Sequence, residues 1–457
     1  MIKFYLLAFS LFLVGCSSIP VKTRGDAVTT DDMAKKFYIQ GLLYEVDGDL
    51  ENALLNYRKS LEANSRNSYL YGKTGRTLLR QKKYAEAEKM FLKAISLDEK
   101  EAENYLNLGL VYYYKKSYDK AVSFIEKGLK IKEFPSYRMV LCDLYASTGQ
   151  YEKSLVSYRI LIDTFPSNFL LHYNSGLLLK NLERLNEAED AFLKAIKLQP
   201  AFFKSYIELG SIYEKSNRTE DALNNYKKAM ELSPDDPVAY EKLTELYIKQ
   251  SNWQEVENIL IKAVKRNVQS SMINQVLGSI SFQNKRYAEA EFYYKRALMI
   301  KEDPAIWFNL GIVHDKMGNK KEMEKCMRRV IELDPLNHLA LNYLGYSLLL
   351  EDRDIHEAFI MIQKAVNLDP DNGAYLDSLG WAYYKKGNYK LAEKLLKKAQ
   401  QKEIDPEIFE HLGYLYYQKN DNLRAIYWWA RSHELSPKEE ILMMIEKAKQ
   451  KLSAREK

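Results

Sequence analysis

Three groups of residues in this 457-residue chain are candidates for chemistry, and two of them form no site. Gly72-Lys73-Thr74 has the last residues of a phosphate-binding loop, but Asn67 stands where such a loop needs its first glycine, and no strand precedes it. The histidines have neither metal-ligand spacing nor a His-Glu-x-x-His motif; they are residues 172, 314, 338, 356, 411 and 433. The sequence therefore predicts no metal, no cofactor and no catalytic residue, and a protein that is not an enzyme.

The third group is the cysteines, of which Cys16 has the informative context. Lys3 precedes an apolar run from Phe4 to Val14, which is too short to span a bilayer and is typical of an export signal. The run ends in Leu13-Val14-Gly15-Cys16, which resembles the lipobox of bacterial lipoproteins. A plain secretory signal with an incidental cysteine is the alternative, and either interpretation places the protein outside the cytoplasm.

The lipobox resemblance implies how the N-terminus is processed and anchored. Residues 1–15 would be a lipoprotein signal peptide, Cys16 would carry the lipid, and residues 16–33 would be a flexible stalk. Several acyl chains on one cysteine make a durable membrane anchor. Ser17, in place of an aspartate after the cysteine, favours the periplasmic face of the outer membrane over the inner membrane.

Composition excludes two further classes of protein. The 68 Lys and Arg residues nearly balance the 62 Asp and Glu residues, and the small net charge of +6 gives no reason to expect a nucleic-acid partner. Three cysteines cannot make a disulfide framework in a chain of this length. The chain has 35 tyrosines against 17 phenylalanines, which indicates one template that recurs.

A small residue recurs about every 34 positions from Gly41 to the C-terminal end. These positions, which we call the glycine slots, are Gly41, Gly75, Gly109, Cys142, Gly176, Gly210, Thr244, Gly278, Gly311, Gly345, Gly380 and Gly413. Bulky and small residues around each slot are spaced by 3, 4 and 7, which is helical, and a polar break separates two apolar stretches in each copy. Each copy is therefore predicted to be a helix pair in which the small residue lets the second helix approach the first. The copy near Gly345 carries one extra residue between Asp352 and Ile355.

These repeats resemble the tetratricopeptide repeat. The matching positions are Trp307, Leu310, Gly311, Gly318 and Pro335 in one copy, and Leu379 to Tyr384, Gly387, Tyr389, Ala392 and Ala399 in another. The resemblance implies an all-α chain, folded as an α-solenoid with a right-handed superhelix of about twelve helix-turn-helix units at 34–437. Residues 438–457 are predicted to form a C-terminal capping helix and tail, because open repeat arrays need one.

Members of this family bind partners along the concave face lined by the first helix of each unit. The corresponding positions in the last four copies are Phe308, Asn309, Tyr343, Tyr346, Trp381, Tyr384, Tyr414 and Tyr417. Such rigid amphipathic side chains are typical of binding hot spots. The alternative is that the aromatic residues pack between adjoining copies, and spacing alone does not decide between the two.

The combination predicts a lipid-anchored periplasmic adaptor with protein partners and no small-molecule substrate. The segment from Asn342 to Trp381 is similar to outer-membrane repeat lipoproteins that act as adaptors for periplasmic proteases. The alternative function is an assembly lipoprotein for a type IV pilus, a secretin or a polysaccharide export machine.

Overall fold

The computed structural model describes residues 29–453, and every regular element in that range is an α-helix. Of these, residues 29–200 form one compact unit and residues 201–453 a second. The described part of the first unit consists of five helix pairs: α1 Thr30–Val46, α2 Leu50–Ala63, α3 Ser68–Arg80, α4 Tyr84–Leu97, α5 Ala102–Tyr114, α6 Tyr118–Ile131, α7 Pro135–Ser147, α8 Tyr151–Thr164, α9 Phe169–Asn181 and α10 Leu185–Leu198.

The second unit holds seven further pairs and one last helix. These are α11 Phe203–Lys215, α12 Thr219–Leu232, α13 Pro237–Lys249, α14 Trp253–Lys265, α15 Ser271–Gln283, α16 Tyr287–Ile300, α17 Pro304–Lys316, α18 Lys320–Leu333, α19 His338–Leu350, α20 Ile355–Leu368, α21 Gly373–Lys385, α22 Tyr389–Lys402, α23 Pro406–Gln418, α24 Asn422–Leu435 and α25 Glu439–Ser453. Each odd-numbered helix up to α23 packs on the even-numbered helix after it. The predicted α-solenoid of about twelve helix pairs is confirmed.

The glycine slots are the points of closest approach within the pairs. A Cβ added to Gly75 would lie 2.8 Å from the ring of Phe91, and one added to Gly413 would lie 2.3 Å from the indole of Trp429. Both aromatic rings belong to the second helix of the same pair and are fully buried. The small residue of the first helix thus makes room for the large residue of the second, as the spacing predicts.

The extra residue of the copy at Gly345 is absorbed in the turn between its two helices. Asp352 and Asp354 both have positive φ, 51° and 42°, and Asp354 precedes α20 in the left-handed conformation. Ile362 then contacts Gly345, and it lies one residue further along the chain than its equivalents in other pairs. The insertion is therefore taken up locally, and the helix pair itself keeps its packing.

The first helix begins earlier than the sequence predicts. Thr29 and Asp32 form a capping box, in which the threonine side chain accepts from the amide of Asp32 and the aspartate accepts from the amide of Thr29. The helix therefore starts at Thr30, inside the segment 16–33 that was predicted to be a stalk. Cys16 and the predicted signal peptide lie outside the described residues.

The last helix covers the end of the second unit. Ile441, Ile445 and Ala448 of α25 are buried against α24, which closes the last pair as a capping helix. The helices of residues 29–453 include none with the length and apolar character needed to cross a membrane.

Replacing Gly413 by valine should lower the free energy of unfolding by about 1–3 kcal/mol, because the branched side chain has to displace the buried indole of Trp429. Urea unfolding followed by circular dichroism measures the change. Gln418→Val, on an exposed position of the same helix, is the control and should change stability little. Equal losses in the two variants would show that the close approach is not what selects glycine.

Candidate partner-binding surface

The predicted binding residues lie on the first helices of four successive pairs in the second unit. Phe308 and Asn309 belong to α17, Tyr343 and Tyr346 to α19, Trp381 and Tyr384 to α21, and Tyr414 and Tyr417 to α23. Helix α19 packs on α21, and α21 packs on α23, while Phe308 of α17 contacts Tyr343 of α19, so these side chains follow one continuous face. We call its half-buried members the C-terminal aromatic face: Phe308, Tyr343, Tyr346, Tyr384, Tyr414 and Tyr417.

The α17 end of this face is an edge-to-face aromatic pair. The rings of Phe308 and Tyr343 lie 6.1 Å apart at 74°. The hydroxyl of Tyr343 donates a 2.7 Å hydrogen bond to Asp315 on α17. Asn309 is half-buried beside them. These contacts hold the ring of Tyr343 in one orientation, with part of its edge exposed.

Trp381 lies beneath the face and is only 9% exposed. Its indole is stacked between Tyr384, at 4.5 Å and 7°, and the imidazole of His411, at 4.1 Å and 16°. Its Nε1 has no hydrogen-bond partner among the described residues. The repeat position of Trp381 predicts a partner contact, but its burial and its two ring contacts make it a support for the rings around it, as in the packing alternative.

The α23 end of the face rests on Trp429 of the following helix. Tyr414 meets the buried indole edge-on at 5.2 Å, and Tyr417 lies 5.6 Å from it. The Nζ of Lys451, from α25, lies 4.0 Å above the ring of Tyr417, which is cation–π geometry. Burial, followed by the charges of Glu440 and Glu410, raises the pKa of Tyr414 to about 12, so its hydroxyl stays a neutral donor.

A buried acid–base pair connects the first helices beneath this face. The Nδ1 atom of His411 on α23 lies 2.8 Å from one carboxylate oxygen of Asp377 on α21, and each residue is 4% exposed. On its other side His411 faces Tyr346 of α19, with Nε2 3.4 Å from the tyrosine oxygen. The Tyr346 hydroxyl donates a 2.5 Å hydrogen bond to Glu407. One chain of polar contacts therefore joins three successive repeats.

The charge state of His411 follows from its neighbours. Burial alone opposes protonation, but the charge and hydrogen bond of Asp377, together with Glu407 and Glu410, outweigh it and raise the pKa of His411 above its ordinary value of 6.5. Burial also raises the pKa of Tyr346, which keeps its hydroxyl protonated. The contact with Asp377 therefore favours the protonated imidazole of His411 under the indole of Trp381.

Asp377 and His411 are not among the predicted binding residues, although the repeat places them at binding positions. His411 stands two residues before Gly413, as Asn309 does before Gly311. Asp377 stands three residues before its glycine slot, as Phe308 does. A comparison of these two adjacent slots between neighbouring repeats would have paired them, whereas a search for metal-ligand spacing within one repeat could not.

Residues first considered for nucleotide or thiol chemistry have structural roles in the described chain. Gly72-Lys73-Thr74 lies inside α3, where Lys73 forms a 2.8 Å ion pair with Glu45. Cys142 is buried in a glycine slot, and burial raises the pKa of its thiol to about 12. A thiol with that pKa is a poor nucleophile. Within residues 29–453 no three His, Cys, Asp or Glu side chains are grouped to hold a metal ion.

The stability of the second unit should fall as pH rises from about 6.5 past the raised pKa of His411. The unfolded histidine loses its proton near its ordinary value, whereas the folded one keeps it to higher pH, so the stabilisation is complete below 6.5 and is lost above the folded pKa. Thermal unfolding between pH 6 and pH 9 measures this, with His411→Gln as the control. Parallel pH profiles of the two proteins would contradict it.

Tetratricopeptide family models match the chain in several places. Models described as tetratricopeptide repeats match residues 73–137, 171–202, 273–304, 304–335 and 378–440, and a further repeat model of the same kind matches 210–251. Together they cover more than half of the chain and include most of the C-terminal aromatic face.

Three curated relatives share shorter segments. TPR repeat-containing protein PA4667 of Pseudomonas aeruginosa is 39% identical over 112 residues, which are 24% of this chain and 19% of that protein. BBSome complex member BBS4 of Bos taurus is 22% identical over 174 residues, or 38% of this chain and 34% of that protein. Protein O-mannosyl-transferase TMTC3 of Homo sapiens is 25% identical over 201 residues, or 42% and 21%. The chain spans about a fifth to a third of the length of these relatives.

Solved structures of similar chains are also helical repeat proteins at low identity. The Naa15/Naa10 complex bound to HypK contains a chain that is 15% identical with a TM-score of 0.44, and the match covers 87% of this chain and 68% of that one. Yeast Tom70 is 18% identical with a TM-score of 0.34, covering 93% and 97%.

Proposed function

Because the chain belongs to the tetratricopeptide-repeat proteins, we propose that it is an adaptor that binds a protein partner along the C-terminal aromatic face. The observation that carries this proposal is the continuity of half-buried aromatic rings across α17, α19, α21 and α23. Asp315 fixes Tyr343 at one end of the face, and Trp381, Trp429 and the Asp377–His411 pair hold the rings of the other tyrosines, so the face is ordered before any partner arrives. Preorganised aromatic side chains lose little entropy on binding.

We further propose that a lipid at Cys16 holds the adaptor at the periplasmic face of the outer membrane. The support is the Leu13-Val14-Gly15-Cys16 sequence and the serine that follows it. A tether there would keep each molecule of the adaptor, together with its bound partner, within a short distance of the membrane. We propose no catalytic role for the described residues, because Lys73 and Cys142, the ones considered for chemistry, have structural contacts instead.

The partner class that we favour is a periplasmic protease, which the adaptor would bring together with its substrates. The basis is the similarity of the segment from Asn342 to Trp381 to protease-adaptor lipoproteins. This segment contributes Tyr343, Tyr346 and the supporting Trp381 to the aromatic face. Deleting the gene should then raise the level of the protease's substrates in the envelope, whereas unchanged substrates with a loss of piliation or export would favour an assembly machine.

A pull-down from detergent-solubilised envelopes tests partner binding. The native protein is compared with a Tyr384→Ala/Tyr414→Ala variant, and mass spectrometry identifies the proteins that are lost. Trp381 is left intact because its removal would unfold the support. The matched control is Tyr427→Ala, an exposed tyrosine on the second helix α24. A partner retained by the native protein and the control but lost by the double variant supports the proposal; equal capture by all three contradicts it.

Fractionation tests the anchor separately. The native protein should sediment with outer membranes and need detergent for release, and Cys16→Ala should stop lipidation and leave the protein in the soluble periplasmic fraction or in uncleaved form. Metabolic labelling with a fatty-acid analogue should mark the native protein only. Equal labelling or equal sedimentation of the two proteins would contradict the anchor without affecting the partner site.

A further inference from the structure

The first helix exposes Leu43 and Tyr44 at two positions that internal repeats mostly bury. Leu43 and Tyr44 stand two and three residues after Gly41. At the position of Tyr44, all later repeats but one bury the equivalent side chain, for example Leu78 or Tyr247. Leu43 is 62% exposed, and Ile39, Tyr44 and Val46 are exposed beside it. Ile39, Leu43 and Val46 follow a spacing of four and three, so they form one stripe along α1, which we call the α1 stripe.

Internal repeats show what normally packs against the position of Tyr44. The hydroxyl of Tyr112 donates a 2.8 Å hydrogen bond to Glu88, which lies on α4, the second helix of the preceding pair. Lys115 binds the other oxygen of the same carboxylate. Tyr416 makes an equivalent 2.8 Å hydrogen bond to Glu393 of α22. A helix with an apolar side and a carboxylate is thus the usual neighbour of these positions.

The first copy has the opposite charge at the corresponding position. Asp47 stands six residues after Gly41, where Lys115 and Lys419 stand after their own glycine slots. Asp47 therefore cannot bind a carboxylate as Lys115 and Lys419 do, and a helix with lysines beside an apolar stripe would fit here. Helix α1 itself has this composition: Lys35 and Lys36 precede the α1 stripe, and Asp47 follows it.

We propose that the α1 stripe is a homodimer interface, in which α1 packs antiparallel on α1 of a second molecule of the same protein. A two-fold axis level with Gly41 places Ile39 opposite Leu43 of the other chain and Lys35 opposite its Asp47, and the symmetry repeats both contacts. Isologous two-fold contacts are the commonest form of protein self-association. Within one chain, Lys35 forms an ion pair with the exposed Asp31. Replacing this pair by one between Lys35 and Asp47 of the other chain would cost little free energy, because exposed ion pairs contribute little.

The size of the surface sets the strength of the dimer. Two helices of 17 residues bury less than the roughly 1,600 Å² of a standard interface, so we expect dissociation in the micromolar range in solution. If the proposed lipid anchor is present, confinement to one membrane plane raises the effective concentration of the copies. The self-association does not depend on the partner site or on the lipid.

Sedimentation equilibrium of the full-length protein in density-matched detergent, between about 1 and 100 μM, tests the proposal. The native protein should move from monomer to dimer, and Leu43→Glu should weaken the dimer by more than tenfold, since each substitution acts twice across the axis. Leu423→Glu, on an exposed position of α24, is the matched control and should leave the dimer unchanged. Circular dichroism should show equal helix content in all three, because both leucines are exposed.

A charge exchange tests the antiparallel register. Asp47→Lys should weaken the dimer because it places lysines opposite each other, and adding Lys35→Glu to the same chain should restore it. A native protein that stays monomeric at 100 μM would overturn the proposal. The α1 stripe would then be covered by something other than a second chain, such as residues 1–28 or another protein. A dimer that survives Leu43→Glu would overturn it as well, because the contact would then lie elsewhere.

Discussion

Replacing Asp377 by alanine should lower the free energy of unfolding of the second unit by about 3–5 kcal/mol. The substitution leaves the imidazole of His411 buried beneath Trp381 without the carboxylate that neutralises its charge. Either the imidazolium stays without a counterion or it loses its proton, and both cost free energy. Urea unfolding followed by the far-ultraviolet circular dichroism signal measures the loss.

Two further variants separate the buried pair from a general effect of removing an aspartate. Asp371 is exposed at the surface of the same repeat, where it pairs with Lys398 and Lys402, and Asp371→Ala should cost no more than about 1 kcal/mol. The double variant Asp377→Leu/His411→Leu removes both charges and should be more stable than Asp377→Ala alone. A loss at Asp377 no larger than that at Asp371 would show that the pair does not hold the repeats together.

Replacing Trp381 by alanine should cost about 3–5 kcal/mol, and this cost should be independent of any partner. The indole fills the space between Tyr384 and His411, and its removal leaves a cavity under the C-terminal aromatic face. Unfolding of the purified protein, with no partner present, measures this.

Trp381→Phe is the informative companion. It keeps an aromatic ring between the two neighbours, and it loses no hydrogen bond because Nε1 has no partner among the described residues. Its cost should therefore be well below that of alanine. Trp253, which is exposed on α14, supplies the control, and Trp253→Ala should change stability little. If Trp381→Ala left stability unchanged, the tryptophan would be a surface residue after all.

The repeat could be predicted from the sequence because its cause is local and steric. A glycine slot is needed wherever a large ring of the second helix meets the first, as Trp429 meets Gly413, and this requirement recurs with the period of the chain. The start of the first helix could not be predicted in the same way. The capping box of Thr29 and Asp32 extends α1 into a polar stretch. Because that stretch has no apolar period, the sequence predicts a stalk there instead of a helix.

The interior of the candidate site could be predicted only in part. Trp381 occupies a binding position of the repeat, yet it is covered because His411 of the next repeat lies against it. Whether a ring at such a position is exposed depends on its neighbour one copy later, and spacing within one copy carries no information on that. Tyr384 and Tyr414 stay half-buried at similar positions. The contacts between successive first helices therefore decide which aromatic residues can meet a partner.

Site-specific photo-crosslinking in living cells tests the central claim most directly. A photoreactive phenylalanine analogue is placed at Tyr384 or Tyr414 on the C-terminal aromatic face, and at Leu423 on the exposed side of α24 as the control. Both tyrosine positions should crosslink to the same envelope protein, and the control should not. Crosslinking of that protein equally from Leu423, or of no protein from the two tyrosine positions, would contradict an adaptor that binds its partner along this face.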